Sequence, residues 1–197
     1  AALIFFLLLA LYYLLKNQLT ASAIVFALAV CTKLLPLIFL PLIFQRLWFK
    51  EGVKYCTIVL GVTALLFFPF FDFELLYKMK TGLSLYFDHF EFNASLYYLV
   101  RYGMLNEYWH LWDYHNYFMN VKWLEDFLRE DIFELIRKVL PILDILIILT
   151  ISFRKSNRIS IDSFCLSLLF VYTSHFFLAT TIHPWYITPL ILIAVFS

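Results

Sequence analysis

The stretch from Leu19 to Leu47 reads LTASAIVFALAVCTKLLPLIFLPLIFQRL and is apolar almost throughout. As one straight helix it would be about 43 Å long at 1.5 Å per residue, whereas the hydrocarbon core of a bilayer is about 30 Å thick. One long tilted helix and two short helices are the alternatives. We expect a broken helix, because Lys33 is costly in lipid as an isolated charge and Pro36 interrupts helical hydrogen bonding.

Further apolar runs lie on both sides of this stretch, at residues 1–15, 53–71, 139–153, 162–181 and 186–197. The whole chain is 63% hydrophobic and has a mean hydropathy of +0.84, well above the roughly half-apolar composition of soluble domains. A soluble fold cannot bury this much apolar surface, but a bilayer accommodates it. The predicted fold class is all-α, as a polytopic transmembrane helical bundle with an outer aromatic-rich loop region.

Composition divides the chain into three parts. Residues 1–70 and 137–197 are predicted to be transmembrane helices, one of them broken near Lys33. Residues 71–136 hold most of the 14 acidic residues and are rich in Tyr, Trp and Phe. We interpret them as an extracytoplasmic loop region with short helices.

The orientation follows from two short basic loops. They carry Arg46, Lys50 and Lys54 in the first and Arg154, Lys155 and Arg158 in the second. Cytoplasmic loops of membrane proteins are enriched in Lys and Arg. Both loops are therefore predicted to be cytoplasmic, which places residues 71–136 on the outer side of the membrane.

The outer region contains a candidate binding face. Asn93, Tyr97 and Arg101 recur every four residues and share one side of a short predicted helix, with Tyr98 beside them. An amide, a phenol and a guanidinium suit a phosphate or a sugar, although Arg101 pairing with a nearby acid is the alternative. Asn93 also begins an N-glycosylation tripeptide that ends at Ser95.

Ionisable residues within or beside the apolar runs are further candidates. His183 precedes Pro184 at the outer end of a span, where an imidazole faces water, and His175 lies two turns earlier. Lys33 and Asp144 lie inside apolar runs, where ionisable groups mark functional sites or pair structurally. Trp185 and Tyr186 are typical of the aromatic belt at a membrane interface.

Other kinds of site are not predicted. The histidines show no i,i+4 pair and no tight cluster with acids, so no metal site is expected. Cys31, Cys56 and Cys165 are far apart in apolar runs and are interpreted as buried thiols. No basic run is present, so nucleic acid is not an expected partner.

Together these residues resemble the GT-C superfamily of polyprenyl-phosphate-dependent glycosyltransferases, especially its bacterial mannosyltransferase-like branch. The resemblance rests on Asn93, Ser95 and Arg101 in the outer loop region. It rests also on Lys33-Leu34-Leu35-Pro36 followed by Leu40-Pro41-Leu42, and on His183-Pro184-Trp185-Tyr186 at a late helix end.

The resemblance implies an inverting enzyme of the bacterial inner membrane. It would move a sugar, mannose in that branch, from a polyprenyl-phosphate donor to a glycan or glycolipid acceptor on the outer face, without a tightly bound cofactor. Whether a metal assists is left open. Substrate contacts would come from Asn93, Ser95, Tyr98, Arg101, Lys33 and Trp185, while His183 would line the reaction cavity.

Family members carry their acidic general base in the first outer loop, near the N-terminus. That loop would precede Ala1, so we expect the sequence to be a C-terminal fragment that is inactive alone, and its catalytic base is unknown. A membrane transporter or lipid flippase is the rival class, since a broken helix with a buried Lys33 suits it as well. A non-catalytic membrane scaffold subunit, whose outer region binds a partner, is the third.

Overall fold

The computed structural model describes residues 2–70, 78, 81–82, 122–155, 160–179 and 186–196. The α-helices are α1 Ala2–Leu15, α2 Leu19–Thr32, α3 Leu40–Phe67, α4 Lys122–Ser152, α5 Ile161–Leu178 and α6 Ile187–Phe196, and short 3-10 helices cover Leu35–Phe39 and Phe68–Phe70. The described part of the chain contains helices and no strand. The prediction of an all-α fold is confirmed for these residues.

Two of the described helical stretches are long and apolar enough to cross a membrane. They are Leu35–Phe70, which joins both 3-10 helices to α3, and Ile161–Leu178. Helices α1 and α2 are apolar as well, but each has 14 residues and is therefore about 21 Å long. Helix α4 runs without interruption across residue 136, where the composition changes.

The apolar stretch from Leu19 to Leu47 is interrupted at Lys33. Helix α2 ends at Thr32, and Lys33 has extended backbone geometry with φ of −160° and ψ of 144°. A 3-10 helix then begins at Leu35, with Pro36 in its first turn, where a missing N–H costs no helical hydrogen bond. The stretch is thus two helical arms and not one long tilted helix.

The two arms run in opposite directions. Ser22, in the first turn of α2, lies 3.1 Å from the Tyr55 hydroxyl, which belongs to α3 beyond the end of the second arm. Lys54 lines a cleft together with Asn17 and Gln18, which precede the first arm. Both arms therefore have their outer ends at one end of the bundle, and Lys33 is the apex of a helical hairpin formed by residues 19–47.

We call the end that holds Arg46, Lys50 and Lys54 the basic end, and the end that holds Lys33 the apex end. The guanidinium Nη1 of Arg46 donates a hydrogen bond to the carbonyl of Ser160, at 3.2 Å, just before α5 begins. The second basic loop therefore meets the first at the basic end. A chain with both basic loops at one end satisfies the positive-inside rule in a single orientation.

The second arm turns into the rest of α3 at Trp48. This residue has φ of 68° and ψ of 169°, so α3 consists of two helical segments joined at a corner. Positive φ is uncommon for a residue other than glycine and costs about 1–3 kcal/mol. Gly52 lies one turn past the corner and is buried against Phe44 on the preceding segment.

Gly52→Ala is expected to lower the free energy of unfolding by about 1–3 kcal/mol, because overpacking forces neighbouring groups to move. A Cβ at this position would lie 2.8 Å from Cδ2 and 3.0 Å from the backbone oxygen of Phe44, and the backbone atom has little room to shift. The matched control is Gly61→Ala, since a Cβ there meets nothing within 4 Å. That change should stabilise helical α3 by about 0.5–1 kcal/mol, and equal melting temperatures for the two variants would contradict the tight corner.

The main core lies between α1, α2, α3 and α5. Its largest fully buried side chains include Phe26, Tyr55, Phe164 and Tyr172. The face of α2 in this core carries small residues such as Ala23 and Ala27, which let helices approach closely. The Ser22 hydroxyl donates to the Ala10 carbonyl at 2.7 Å, so its single hydrogen is used and Tyr55 must be the donor to Ser22.

Candidate functional site

Six of the predicted site residues lie outside the described residues. They are Asn93, Ser95, Tyr98, Arg101, His183 and Trp185, and their roles stay predictions. Lys33, Asp144 and His175 are described, as is Tyr186, the last residue of the His183-Pro184-Trp185-Tyr186 motif. The site is therefore built from these four.

Lys33 and Tyr186 meet at the apex end. The ammonium Nζ of Lys33 lies 4.4 Å from the centroid of the Tyr186 ring, a distance at which a cation is attracted to the face of an aromatic ring. The break at Lys33 and the motif that ends at Tyr186 are separate features of the sequence. The structure brings one member of each together.

Tyr172 fixes the position of Tyr186. Its hydroxyl donates to the backbone carbonyl of Tyr186 at 2.9 Å, and its ring stacks on Phe39 with centroids 5.9 Å apart and an interplanar angle of 19°. Because Tyr172 is only 2% exposed, these contacts hold α5, the start of α6 and the 3-10 helix after Lys33 in one arrangement. Sequence reasoning missed Tyr172, which reads as one more aromatic residue in an apolar helix.

Asp144 and His175 form a second polar centre, between α4 and α5. Nδ1 of His175 lies 2.7 Å from Oδ2 of Asp144, and the two side chains are 28% and 8% exposed. The other carboxyl oxygen, Oδ1, is buried and has no hydrogen-bond partner among the described residues. Below and above this pair along α4 lie the buried apolar residues Ile148 and Leu140.

The sequence indicated both residues, but not as a pair. The spacing predicts that His175 lies two turns before His183, and Asp144 is an ionisable residue inside an apolar run. Because residues 153–160 form a short connection, α4 and α5 are expected to pack as antiparallel neighbours, with Asp144 in the interface. The sequence does not show which residues of the two helices lie opposite each other. A carboxylate that accepts from Nδ1–H leaves Nε2 of the imidazole available, which is the arrangement of groups that take up or pass on protons.

Arg46 has a structural role at the basic end. Its guanidinium carbon lies 4.8 Å from the Phe164 ring centroid, and it donates to the Ser160 carbonyl. These contacts join the corner of α3 to the start of α5. Arg46 is thus remote from Lys33, which lies at the other end of the hairpin.

An apolar cavity of about 60 Å³ lies inside the bundle, between α1, α2, α3, α5 and α6. Its lining is aliphatic and aromatic, with Tyr55 and Cys165 as the residues that carry a polar atom on the side chain. Cys165 is buried, whereas Cys31 and Cys56 are half-buried, and all three are free thiols. Of the residues that the structure describes, no three potential metal ligands stand together.

Comparisons with known proteins identified no relative of this chain. The sequence matches no family model and no curated protein, and no solved structure matches the chain.

Proposed function

We propose that the chain is part of a multi-pass integral membrane protein, in keeping with a bacterial inner membrane. The support is the apolar outward surface of the helices. On α4 the exposed apolar side chains are Leu135, Val139, Ile142, Leu143, Ile145, Leu146 and Leu149, and Lys138 and Thr150 are exposed beside them. Contiguous exposed apolar surface of this kind marks a membrane or partner contact.

The hydroxyl groups on that surface fit the same environment. Thr57 and Thr150 are exposed, and each donates to the carbonyl four residues earlier on its own helix, at 2.9 Å and 2.7 Å. A hydroxyl paired in this way presents no unsatisfied donor to lipid. With the basic end in the cytoplasm, the apex end faces the outer side, and the predicted outer region of residues 71–136 is expected on that side.

Within such a protein we propose sugar transfer from a polyprenyl-phosphate donor to a glycan or glycolipid acceptor on the outer face. The observation that carries this proposal is the position of Lys33 beside Tyr186 at the apex end. A lysine held at a helix break supplies a positive charge for a phosphate, and an aromatic ring offers a face to a sugar. Asn93 and Arg101 belong to the predicted outer region, which is expected on this same side.

The proposed reaction is an inverting displacement. The acceptor hydroxyl oxygen forms a bond to the anomeric carbon, the bond from that carbon to the phosphate oxygen breaks, and an acidic general base takes the hydroxyl proton. Negative charge grows on the departing phosphate, where Lys33 and Arg101 stabilise it. Asn93, Ser95, Tyr98 and Trp185 contact the donor, and His183 lines the cavity.

Lys33→Ala is expected to slow sugar transfer by about tenfold to a hundredfold, since a hydrogen bond to a charged group contributes about 1.5–3 kcal/mol. The assay follows labelled sugar from polyprenyl-phosphate mannose to a lipid or glycan product, using the complete protein in lipid vesicles. Lys33→Arg should recover part of the rate, because the charge is kept.

Lys54→Ala is the matched control, because Lys54 is exposed at the basic end. It should leave the rate unchanged. A normal rate for Lys33→Ala would remove this lysine from the site, and the absence of transfer by the wild-type protein with every polyprenyl-linked sugar would overturn the enzyme proposal.

A membrane transporter or lipid flippase is the second candidate, and the helical hairpin favours it. Short helices that meet at a polar break are typical of transporter binding sites. Uptake of a solute, or movement of a labelled lipid between leaflets, by vesicles containing the wild-type protein would support this class. Binding of a lipid-linked sugar without turnover or transport would instead indicate a scaffold subunit.

A further inference from the structure

The buried pair between α4 and α5 is the strongest unassigned feature of the bundle. Asp144 is the only acid that α4 contributes between Leu135 and Ser152, and it points one oxygen at His175 while the other has no partner among the described residues. We propose that Asp144 and His175 form a proton-binding site, in which a proton enters at His175 and is passed to Asp144. This proposal holds whether the protein transfers sugars or transports a solute.

His175 and Asp144 differ in exposure, and this difference gives a direction to the proposed proton path between them. His175 is 28% exposed and Asp144 is 8% exposed, so the imidazole is the more accessible member of the pair. The hydrogen bond between them is 2.7 Å long, short enough for charge-assisted transfer of a proton. Apolar residues on either side of the pair keep competing donors away from the carboxyl group.

The proton balance is simple. A proton binds Nε2 of neutral His175, and the proton on Nδ1 then moves to Oδ2 of Asp144. The result is a neutral carboxyl group and a neutral imidazole that now carries its hydrogen on Nε2. Overall the pair gains one proton. An N–H bond forms at Nε2, and the N–H bond at Nδ1 is replaced by an O–H bond at Oδ2. The reverse sequence releases the proton.

The unpartnered oxygen distinguishes this pair from a purely structural bridge. A buried ionised carboxylate normally has hydrogen bonds at both oxygens, because an unsatisfied charged oxygen is costly. Oδ1 of Asp144 has none among the described residues. Gain of a proton by the carboxyl group removes the charge from that oxygen.

Few other ionisable groups surround the pair. On α4 the described side chains from Leu135 onward include Lys138, which is exposed. On α5 they are Asp162, Cys165 and Tyr172, of which Asp162 lies at the basic end. Residues 57–67 of α3 and the residues of α6 carry no ionisable side chain, and the side chain of Arg137 on α4 lies outside the described side chains.

The test is infrared and NMR titration of the wild-type protein in lipid nanodiscs, from acidic to neutral pH. The expected result is a carboxylic-acid C=O band that gains intensity as the pH falls, together with a shift in the His175 ring nitrogens over the same range. Asp144→Asn keeps an oxygen to accept from Nδ1–H but cannot ionise, so it should abolish the band. A wild-type spectrum in which neither group titrates would overturn the proposal.

Asp162→Asn is the matched control, because Asp162 is an exposed acid on α5 and should leave that band in place. His175→Gln gives a second readout if Asp144→Asn does not fold, since loss of the imidazole should move the pH at which the band gains intensity. A band that survives Asp144→Asn, or one that is unmoved by His175→Gln, would contradict a shared proton site.

Discussion

His175→Leu is expected to lower the free energy of unfolding by about 1–3 kcal/mol, because removal of one partner leaves a buried polar group without its hydrogen bond. In the wild type, Nδ1 of His175 provides the one hydrogen bond that the Asp144 carboxyl group makes to the described residues. With leucine at 175, neither carboxyl oxygen retains a described partner in an apolar helix interface. The measurement is denaturant or thermal unfolding of the purified protein.

A double variant at Asp144 and His175 separates the interaction between the two side chains from their packing against the helices. Asp144→Leu combined with His175→Leu replaces both polar groups by apolar ones, and such replacements are often neutral or stabilising. The double variant should therefore be more stable than His175→Leu alone, with a coupling energy of about 1–3 kcal/mol.

The neighbour Ser174 supplies the control for that cycle. Its hydroxyl donates to the Val171 carbonyl of its own helix, at 3.0 Å, so Ser174→Ala should change stability by less than about 0.5 kcal/mol. If His175→Leu were as mild as Ser174→Ala, the contact between α4 and α5 would not depend on this pair.

Arg101→Ala should reduce sugar transfer by about a hundredfold to a thousandfold, the usual effect of deleting one group that stabilises charge in the transition state. The reason is that Arg101 is the proposed guanidinium partner of the departing phosphate, for which a fixed fork of donors is well suited. Expression and melting temperature should remain at wild-type values, since the proposed role is chemical. Single-turnover transfer from the polyprenyl-phosphate donor is the measurement.

Arg129→Ala serves as the control for Arg101→Ala, as Arg129 is the other arginine of residues 71–136. We expect it to transfer sugar at the wild-type rate. Near-normal turnover by Arg101→Ala would remove this residue from the mechanism, and equal losses in both variants would indicate a general effect of charge in the outer region.

The break at Lys33 could be predicted because it depends on local chemistry. A charge and a proline within four residues interrupt an apolar helix wherever it lies. The direction of the second arm could not be predicted in this way. Both arms are apolar on all sides, so their sequence does not show that residues 35–47 return toward the basic end and do not continue away from it.

Pairing between distant helices was also beyond sequence reasoning. Lys33 and Tyr186 meet because Tyr172 holds the start of α6 against the 3-10 helix, and this depends on packing between four elements. The Asp144–His175 contact depends likewise on the register of α4 against α5. Composition identified these residues as ionisable groups in apolar surroundings, and only the folded arrangement selects their partners.

The hairpin has a consequence for how the protein is made. Each arm is about 20 Å long, whereas about 30 Å of hydrocarbon must be crossed. In a membrane, neither arm alone is therefore long enough to cross the hydrocarbon. We expect the two arms to enter the bilayer as a pair, with Lys33 at the turn between them.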